Sequence, residues 1–216
     1  MDCEKAAYLI LMAVKSAAFA SVISTVKDII LGVAAIVGVV VAVKGLNIWR
    51  RQLKGTNEYQ IALKVLKGIF SLRDAISGAR ERLILSVETG DRPRSERENQ
   101  DETQVMNVAH AYHKRLQFVR SAYSELLLAE LEALALWGQA VGKTLEPVYN
   151  AVNHLFATYS TYFEADLLRA RSGDRPDETL REMHKTLFRV PDNDRFGKTI
   201  EDAVKAGEEH FRQYLK

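Results

Sequence analysis

The chain has 216 residues, and its 30 basic and 28 acidic side chains give a net charge of only +2. A nucleic-acid-binding domain presents a concentrated basic face, so we expect no nucleic-acid partner. With 4 Pro and 12 Gly, helix formers dominate, which predicts an all-α fold. A single cysteine, Cys3, excludes an internal disulfide and a cysteine-based metal cage.

Residues 1–28 are apolar in part, and the sequence leaves their role open. Ala18-Phe19-Ala20 fits a signal-peptidase site, but Asp2 and Glu4 do not suit the basic start of a signal peptide. As a second membrane span, the segment would carry Lys15 at its centre, which nearly cancels the insertion free energy. We favour a helix that lies at the membrane interface or packs in an oligomer.

Residues 29–49 form the most informative segment. The run from Ile29 to Val43 reads IILGVAAIVGVVVAV and contains no charged, Pro, Ser, Thr, Asn or Gln residue. As a helix, residues 29–49 measure about 31 Å, which matches a hydrocarbon layer of about 30 Å. Insertion of its Val, Ile and Leu side chains is favourable by about 4–7 kcal/mol, more than Lys44 near the end opposes. We therefore predict an N-terminal transmembrane helix, with a buried core helix as the alternative.

Basic residues follow this segment and predict its orientation. Lys44, Arg50 and Arg51 come before Glu58, which is the first acidic residue after the apolar run. Positive charge collects on the cytoplasmic side of a membrane. Trp49 suits the membrane–water boundary. We expect Lys44, Trp49, Arg50 and Arg51 to be interface anchors and the remainder of the chain to be cytoplasmic.

Small residues recur within the predicted span. Ala34, Gly38 and Ala42 are four residues apart and form a smooth stripe on one helix face. Such stripes let two membrane helices pack closely, which predicts self-association; the alternative is that Ala and Gly are simply common in membrane helices.

The string GLNIWRRQLKG at residues 45–55 is followed by Glu58-Tyr59 and by LRDAI at residues 72–76. Together with Trp137-Gly138 and Pro147, it resembles a group of uncharacterised bacterial membrane proteins with a short apolar N-terminal helix and a charged helical region. The resemblance implies a bacterial inner membrane location, a single span and a helical cytosolic part. It implies no activity, cofactor or catalytic residue.

The rest of the chain, residues 50–216, is patterned as helices and predicts a cytosolic antiparallel helical bundle. Apolar residues at three- and four-residue spacing extend from Ala62 to Leu83 and predict a helix over residues 57–85. Polar residues with Gly90 and Pro93 follow and predict a mobile loop over residues 87–101. Pro147 is expected in the first turn of a later helix.

The most regular pattern predicts one long heptad-patterned helix from residue 101 to 138. A 3.5-residue repeat indicates coiled-coil packing along the helix, against the chain's own bundle or a second copy. Glu130 interrupts the repeat as a register-setting polar residue or a snorkelling rim residue, and we favour the rim. The predicted seam comprises Val105, Ala109, Tyr112, Leu116, Val119, Tyr123, Leu126, Glu130, Ala133 and Trp137.

Motifs that could carry chemistry are weak. Residues 138–144 resemble a nucleotide-binding loop but have three residues between the glycines instead of four, so a helix-to-helix turn at Gly138 or Gly142 is the better interpretation. His110 and His113 lie three residues apart without a further ligand at suitable spacing. We therefore predict no catalytic residue, metal or cofactor, and a protein that is not an enzyme.

The sequence as a whole predicts a membrane-anchored interaction or scaffold protein. Its expected partners are the lipid bilayer, a second copy of the chain and a cytosolic protein that the sequence does not identify. The alternative is a membrane-acting effector of a bacterial toxin or phage-defence system, in which residues 1–49 would damage the bilayer.

Overall fold

The computed structural model describes the backbone of residues 3–215 and the side chains of residues 27 and 30–215. Helices make up 84% of the chain and no strand occurs between residues 3 and 215, so the fold class is all-α, as predicted. The helices are α1 (Cys3–Ala79), α2 (Ser86–Thr89), α3 (Gln100–Trp137), α4 (Ala140–Ser172), α5 (Glu178–Leu187) and α6 (Arg195–Arg212), followed by a 3₁₀ turn at Gln213–Leu215.

α1 is a single helix of 77 residues that continues beyond the predicted end of the span at Trp49. The chain divides into two compact units, unit 1 (Met1–Thr56) and unit 2 (Asn57–Lys216). The alternatives for residues 1–28 (signal peptide, second span or interfacial helix) depend on side chains that mostly lie outside the described residues.

The core of unit 2 lies between the last part of α1, α3, α4 and α6. Two glycines allow the close approach of these helices. A Cβ atom on Gly68 of α1 would lie 3.2 Å from the Cα atom of Leu126 in α3, and one on Gly207 of α6 would lie 2.9 Å from Cδ1 of Ile69. A larger residue at position 68 would press on the backbone of α3, whereas one at position 207 would first displace the end of the Ile69 side chain.

Tyr112 of α3 contacts two further helices in this core, α4 and the end of α5. Its ring stacks on Tyr159 of α4 with centroids 5.6 Å apart and meets the edge of Phe188 at 5.5 Å. Its hydroxyl donates to the carbonyl of Leu187 at 2.9 Å. The last residue of α5 is thereby held against α3 and α4.

The end of α1 differs from the prediction. The helix stops at Ala79, and Leu83, which was predicted on its apolar face, is 71% exposed. Arg80, which follows Ala79, is only 4% exposed. Its carbonyl accepts from the amide of Arg189 at 2.8 Å, so the backbone here bonds to a residue far along the chain.

Arg80 joins α1 to α5 and α6. Nη1 and Nη2 donate to the two carboxylate oxygens of Asp194 at 2.9 and 2.7 Å. Nε and Nη2 also donate to the carbonyls of Thr186 and Lys185, in the last turn of α5. Asp194 in turn accepts from the amide of Gly197 and so caps α6. One guanidinium thus fixes the end of one helix and the start of another.

The predicted mobile loop, residues 87–101, is partly helical, because α2 extends to Thr89 and α3 begins at Gln100. Within it, Arg92 is buried and donates to both carboxylate oxygens of Glu98 and to the side chain of Asn107. Most other residues of the loop are exposed, as composition predicts, but the partly buried pair of Arg92 and Glu98, with the bond to Asn107, holds the loop against α3.

Pro147 was predicted in the first turn of a helix, which is wrong. It lies inside α4, which begins earlier, at Ala140. A proline there removes the amide that would bond to the carbonyl of Lys143. Both residues are exposed, so that carbonyl faces solvent and can bond to water.

We expect Arg80→Met to lower the free energy of unfolding by about 3 kcal/mol, because it leaves the partly buried Asp194 carboxylate without its cation. Chemical denaturation of the full chain in detergent measures this. The matched control is Arg212→Met, which removes an exposed pair with Glu208 and should change stability by about 0.5 kcal/mol or less. Equal losses in the two variants would contradict the role given to Arg80.

Candidate interaction surfaces

α1 carries an unbroken apolar surface in unit 1. All described side chains from residue 30 to residue 57 are exposed. Among the described residues, one helix is long and apolar enough to cross a membrane, and it is this one, with a mean hydropathy of 2.1. Its large apolar side chains, each between 45% and 67% exposed, are Ile30, Leu31, Val33, Ile36, Val37, Val39, Val40, Val41, Val43, Leu46, Ile48 and Trp49.

The residues predicted for helix packing and for anchoring all lie on this surface. Ala34, Gly38 and Ala42 are exposed on one helix face. A Cβ atom on Gly38 would meet no atom within 4 Å, so the chain itself leaves this face uncovered. The predicted anchors, Lys44, Trp49, Arg50 and Arg51, are exposed as well.

Three exposed apolar side chains continue the small-residue face past Ala42, two of them in the last turns of the predicted span and the third, Leu53, beyond it. From Ala42, steps of four, three and four residues lead to Leu46, Trp49 and Leu53, which a helix places on the same side. Arg51 points away from this side. Sequence reasoning missed Leu46 and Leu53 in this role, although their spacing already shows it.

The predicted seam of α3 faces the core of unit 2. Of its members, Ala109, Tyr123 and Trp137 are half-buried. Trp137 stacks on Tyr214, with centroids 4.2 Å apart. The fully buried members are Val105, Tyr112, Leu116, Val119, Leu126, Glu130 and Ala133.

Glu130 is not a snorkelling rim residue, so that interpretation was wrong. It is 9% exposed, and one carboxylate oxygen accepts a 2.6 Å hydrogen bond from the hydroxyl of Tyr149. Burial and this hydrogen bond raise the pKa of Tyr149 well above its ordinary value. Tyr149 lies on the neighbouring helix α4, so the sequence of α3 alone does not reveal this hydrogen-bond partner of Glu130.

A cleft of about 480 Å³ in unit 2 brings several titratable side chains together. Among the residues that line it are Arg82, Tyr162, Asp166, Arg169 and His184. Asp166 binds Arg169 at 2.5 Å. Burial, followed by the neighbouring Asp166, raises the pKa of Tyr162 to about 12. Burial, followed by the charge of Arg82, lowers the pKa of His184.

The histidines noted in the sequence take part in surface contacts. His110 lies 3.0 Å from the carboxylate of Asp91, which also accepts from Lys114. His113 is exposed beside the ring of Tyr159. Among the described residues, no group of three or more His, Cys, Asp or Glu side chains could hold a metal ion.

The segment that resembled a nucleotide-binding loop is a break between two helices. Gly138 has a φ of 71° and ends α3, donating its amide to the carbonyl of Leu134. Gly142 lies inside α4. Of the two candidate breakers, Gly138 is therefore the one used, since glycine adopts this backbone conformation without strain.

Comparisons of the chain with protein-family models, with curated proteins and with solved structures find no match.

We expect His184 to make unit 2 less stable in acid. Its pKa in the folded chain is below the ordinary value of 6.5, so the unfolded chain takes up the proton first as the pH falls. The contribution of neutral His184 to the free energy of unfolding is fully present above about pH 7. It is lost as the pH falls through the pKa of His184 in the folded chain. Denaturation across this range should show a shallower pH dependence in His184→Gln than in the natural chain. His154→Gln, the same change at an exposed position, is the control, and a natural slope in His184→Gln would contradict the expectation.

Proposed function

We propose that the chain is a membrane-anchored helical interaction protein. Residues 29–49 cross the bilayer, and unit 2 is a helical bundle presented to a cytosolic protein partner by self-associated copies. The observation that carries this proposal is the apolar surface of α1, where twelve large side chains are about half exposed or more. A soluble protein rarely leaves an apolar patch larger than a few hundred Å² uncovered.

Lipid is the cover that fits this surface best. The apolar side chains surround the helix on all sides between residues 30 and 43, as a membrane span requires, whereas a helix that docks on one protein is apolar on one side. Insertion is favourable by about 4–7 kcal/mol on membrane-insertion scales. The exposed Lys44 can extend its ammonium group to the headgroups.

The basic residues after the span support a cytoplasmic location for unit 2. Arg50 and Arg51 are exposed and lie next to Trp49, where the helix would leave the hydrocarbon layer. The resemblance of residues 45–55 to bacterial single-span proteins supports the inner membrane. With this orientation, anchoring confines unit 2 to two dimensions and raises its effective concentration for partners in the same membrane.

Self-association through α1 is supported by two features of one helix face. Within the span, Ala34, Gly38 and Ala42 leave room for a second backbone. Leu46, near the end of the span, and Leu53, four residues beyond it, continue this face, and Leu53 lies where lipid tails no longer cover apolar side chains. A second copy of α1 would cover both parts at once.

We expect the full chain to stay in the membrane pellet after alkaline carbonate extraction, because its anchoring depends on apolar contacts and not on charge. Protease added to the cytoplasmic face of inside-out vesicles should cut unit 2. Release of the chain by carbonate would contradict the span, and protection of unit 2 would contradict its orientation.

We expect Gly38→Leu to weaken self-association in lipid vesicles by about tenfold, which is about 1.4 kcal/mol. The added side chain meets nothing in its own chain, so its effect reports on contact with another copy. Energy transfer between labelled copies measures association. Gly32→Leu is the matched control, because Gly32 is also open but lies about 120° away around the helix.

Equal effects of the two glycine substitutions would contradict packing through the Gly38 face. Growth arrest with membrane depolarisation on expression, abolished by Gly38→Leu, would instead favour the membrane-acting effector.

A further inference from the structure

α3 has a second seam, on the side that faces solvent. Its positions repeat in steps of four and three residues, as in a heptad pattern, and all of them are exposed and uncharged. We call this face the outer seam. It consists of Gln117, Ser121, Ser124, Leu128, Leu131 and Ala135.

The outer seam is unlike an ordinary solvated helix face. Charged residues make up 27% of the chain, yet this face is free of charge for about 28 Å along the helix. Leu128 and Leu131 at its centre are 64% and 63% exposed. The heptad spacing of small and leucine residues is that of a helix that packs against another helix.

The charges beside the outer seam indicate which helix could cover it. With Ser121 and Leu128 at a positions, Arg120 occupies a g position and Glu125 an e position, and both are exposed. In a parallel helix pair, a g residue faces the e residue five positions later on the other helix. Arg120 of one copy would then face Glu125 of the other, twice in a symmetric dimer. An antiparallel pair would instead bring the acidic e positions together.

We propose that a second copy of this chain packs on the outer seam in a parallel arrangement. The inference rests on the proposed function, because anchoring in one membrane raises the concentration of a second copy near the outer seam. The outer seam is distinct from the packing face of α1 and adds a contact within unit 2. Serine and alanine above and below the leucines allow the two helices to approach closely.

Disulfide cross-linking in membrane vesicles tests this proposal on the full chain. In a Cys3→Ser background, Leu128→Cys places a thiol at an a position, where identical residues of two parallel helices meet. Leu168→Cys on α4 is the matched control, because Leu168 is also 64% exposed. We expect about ten times more covalent dimer at Leu128 than at Leu168, a ratio that corresponds to about 1.4 kcal/mol.

Charge reversal tests the parallel register. Arg120→Glu or Glu125→Arg should each lower the dimer yield of Leu128→Cys about threefold, since each places like charges together. The double reversal should restore the yield. Arg120 also lies over the ring of Phe156 at 5.4 Å, but that contact is lost in both the single and the double variant, so restoration reports on the Glu125 pair.

The outcomes separate this inference from the proposed function. A chain that resists carbonate extraction but cross-links equally at Leu128 and Leu168 overturns the second copy and leaves the membrane anchor intact. A cross-linked product whose mass shows a different protein overturns it as well. Release of the chain by carbonate overturns the anchor. If Leu128→Cys then still gives more covalent dimer than Leu168→Cys, the dimer forms without the anchor.

Discussion

The lack of a protein cover on α1 between residues 30 and 53 is the constraint on which the proposed arrangement depends. Apolar side chains on all sides of a helix are stable only when something other than water surrounds them. A single lipid-embedded helix would satisfy this condition within residues 29–49, while Leu53, beyond the span, would need a further partner. The proposed anchoring and the proposed self-association therefore rest on the same surface.

Unit 2 obtains its shape from two kinds of contact. Apolar packing brings α1, α3, α4 and α6 together, and two glycines set how closely they approach. Arginines then hold the segments between the helices. Arg80 joins the ends of α1, α5 and α6, Arg92 holds the loop before α3, and Arg115 of α3 donates to the carbonyls of Glu81 and Leu83 and to the carboxylate of Glu88.

α3 has two seams with the same spacing, one that packs inside unit 2 and one that is proposed to pack against a second copy. The predicted seam packs in unit 2, and its buried Glu130 accepts a hydrogen bond from Tyr149 of α4. The outer seam carries no charge and is exposed. The proposed membrane anchor bears on this exposed seam, since copies held in one plane would meet often. Weak contacts between helices can then contribute to assembly that they would not support in solution.

The sequence was enough to predict the all-helical fold, the apolar segment and the burial of most of the predicted seam of α3. Each of these depends on the local spacing of apolar residues along one helix. The burial of Arg80 could not be predicted, since its partner Asp194 is 114 residues away. The same holds for Glu130, whose environment is created by Tyr149 on another helix, and for the loop around Arg92, which composition marks as solvated. Local patterns determine which side of a helix is apolar, whereas long-range packing decides which polar groups meet partners inside the fold.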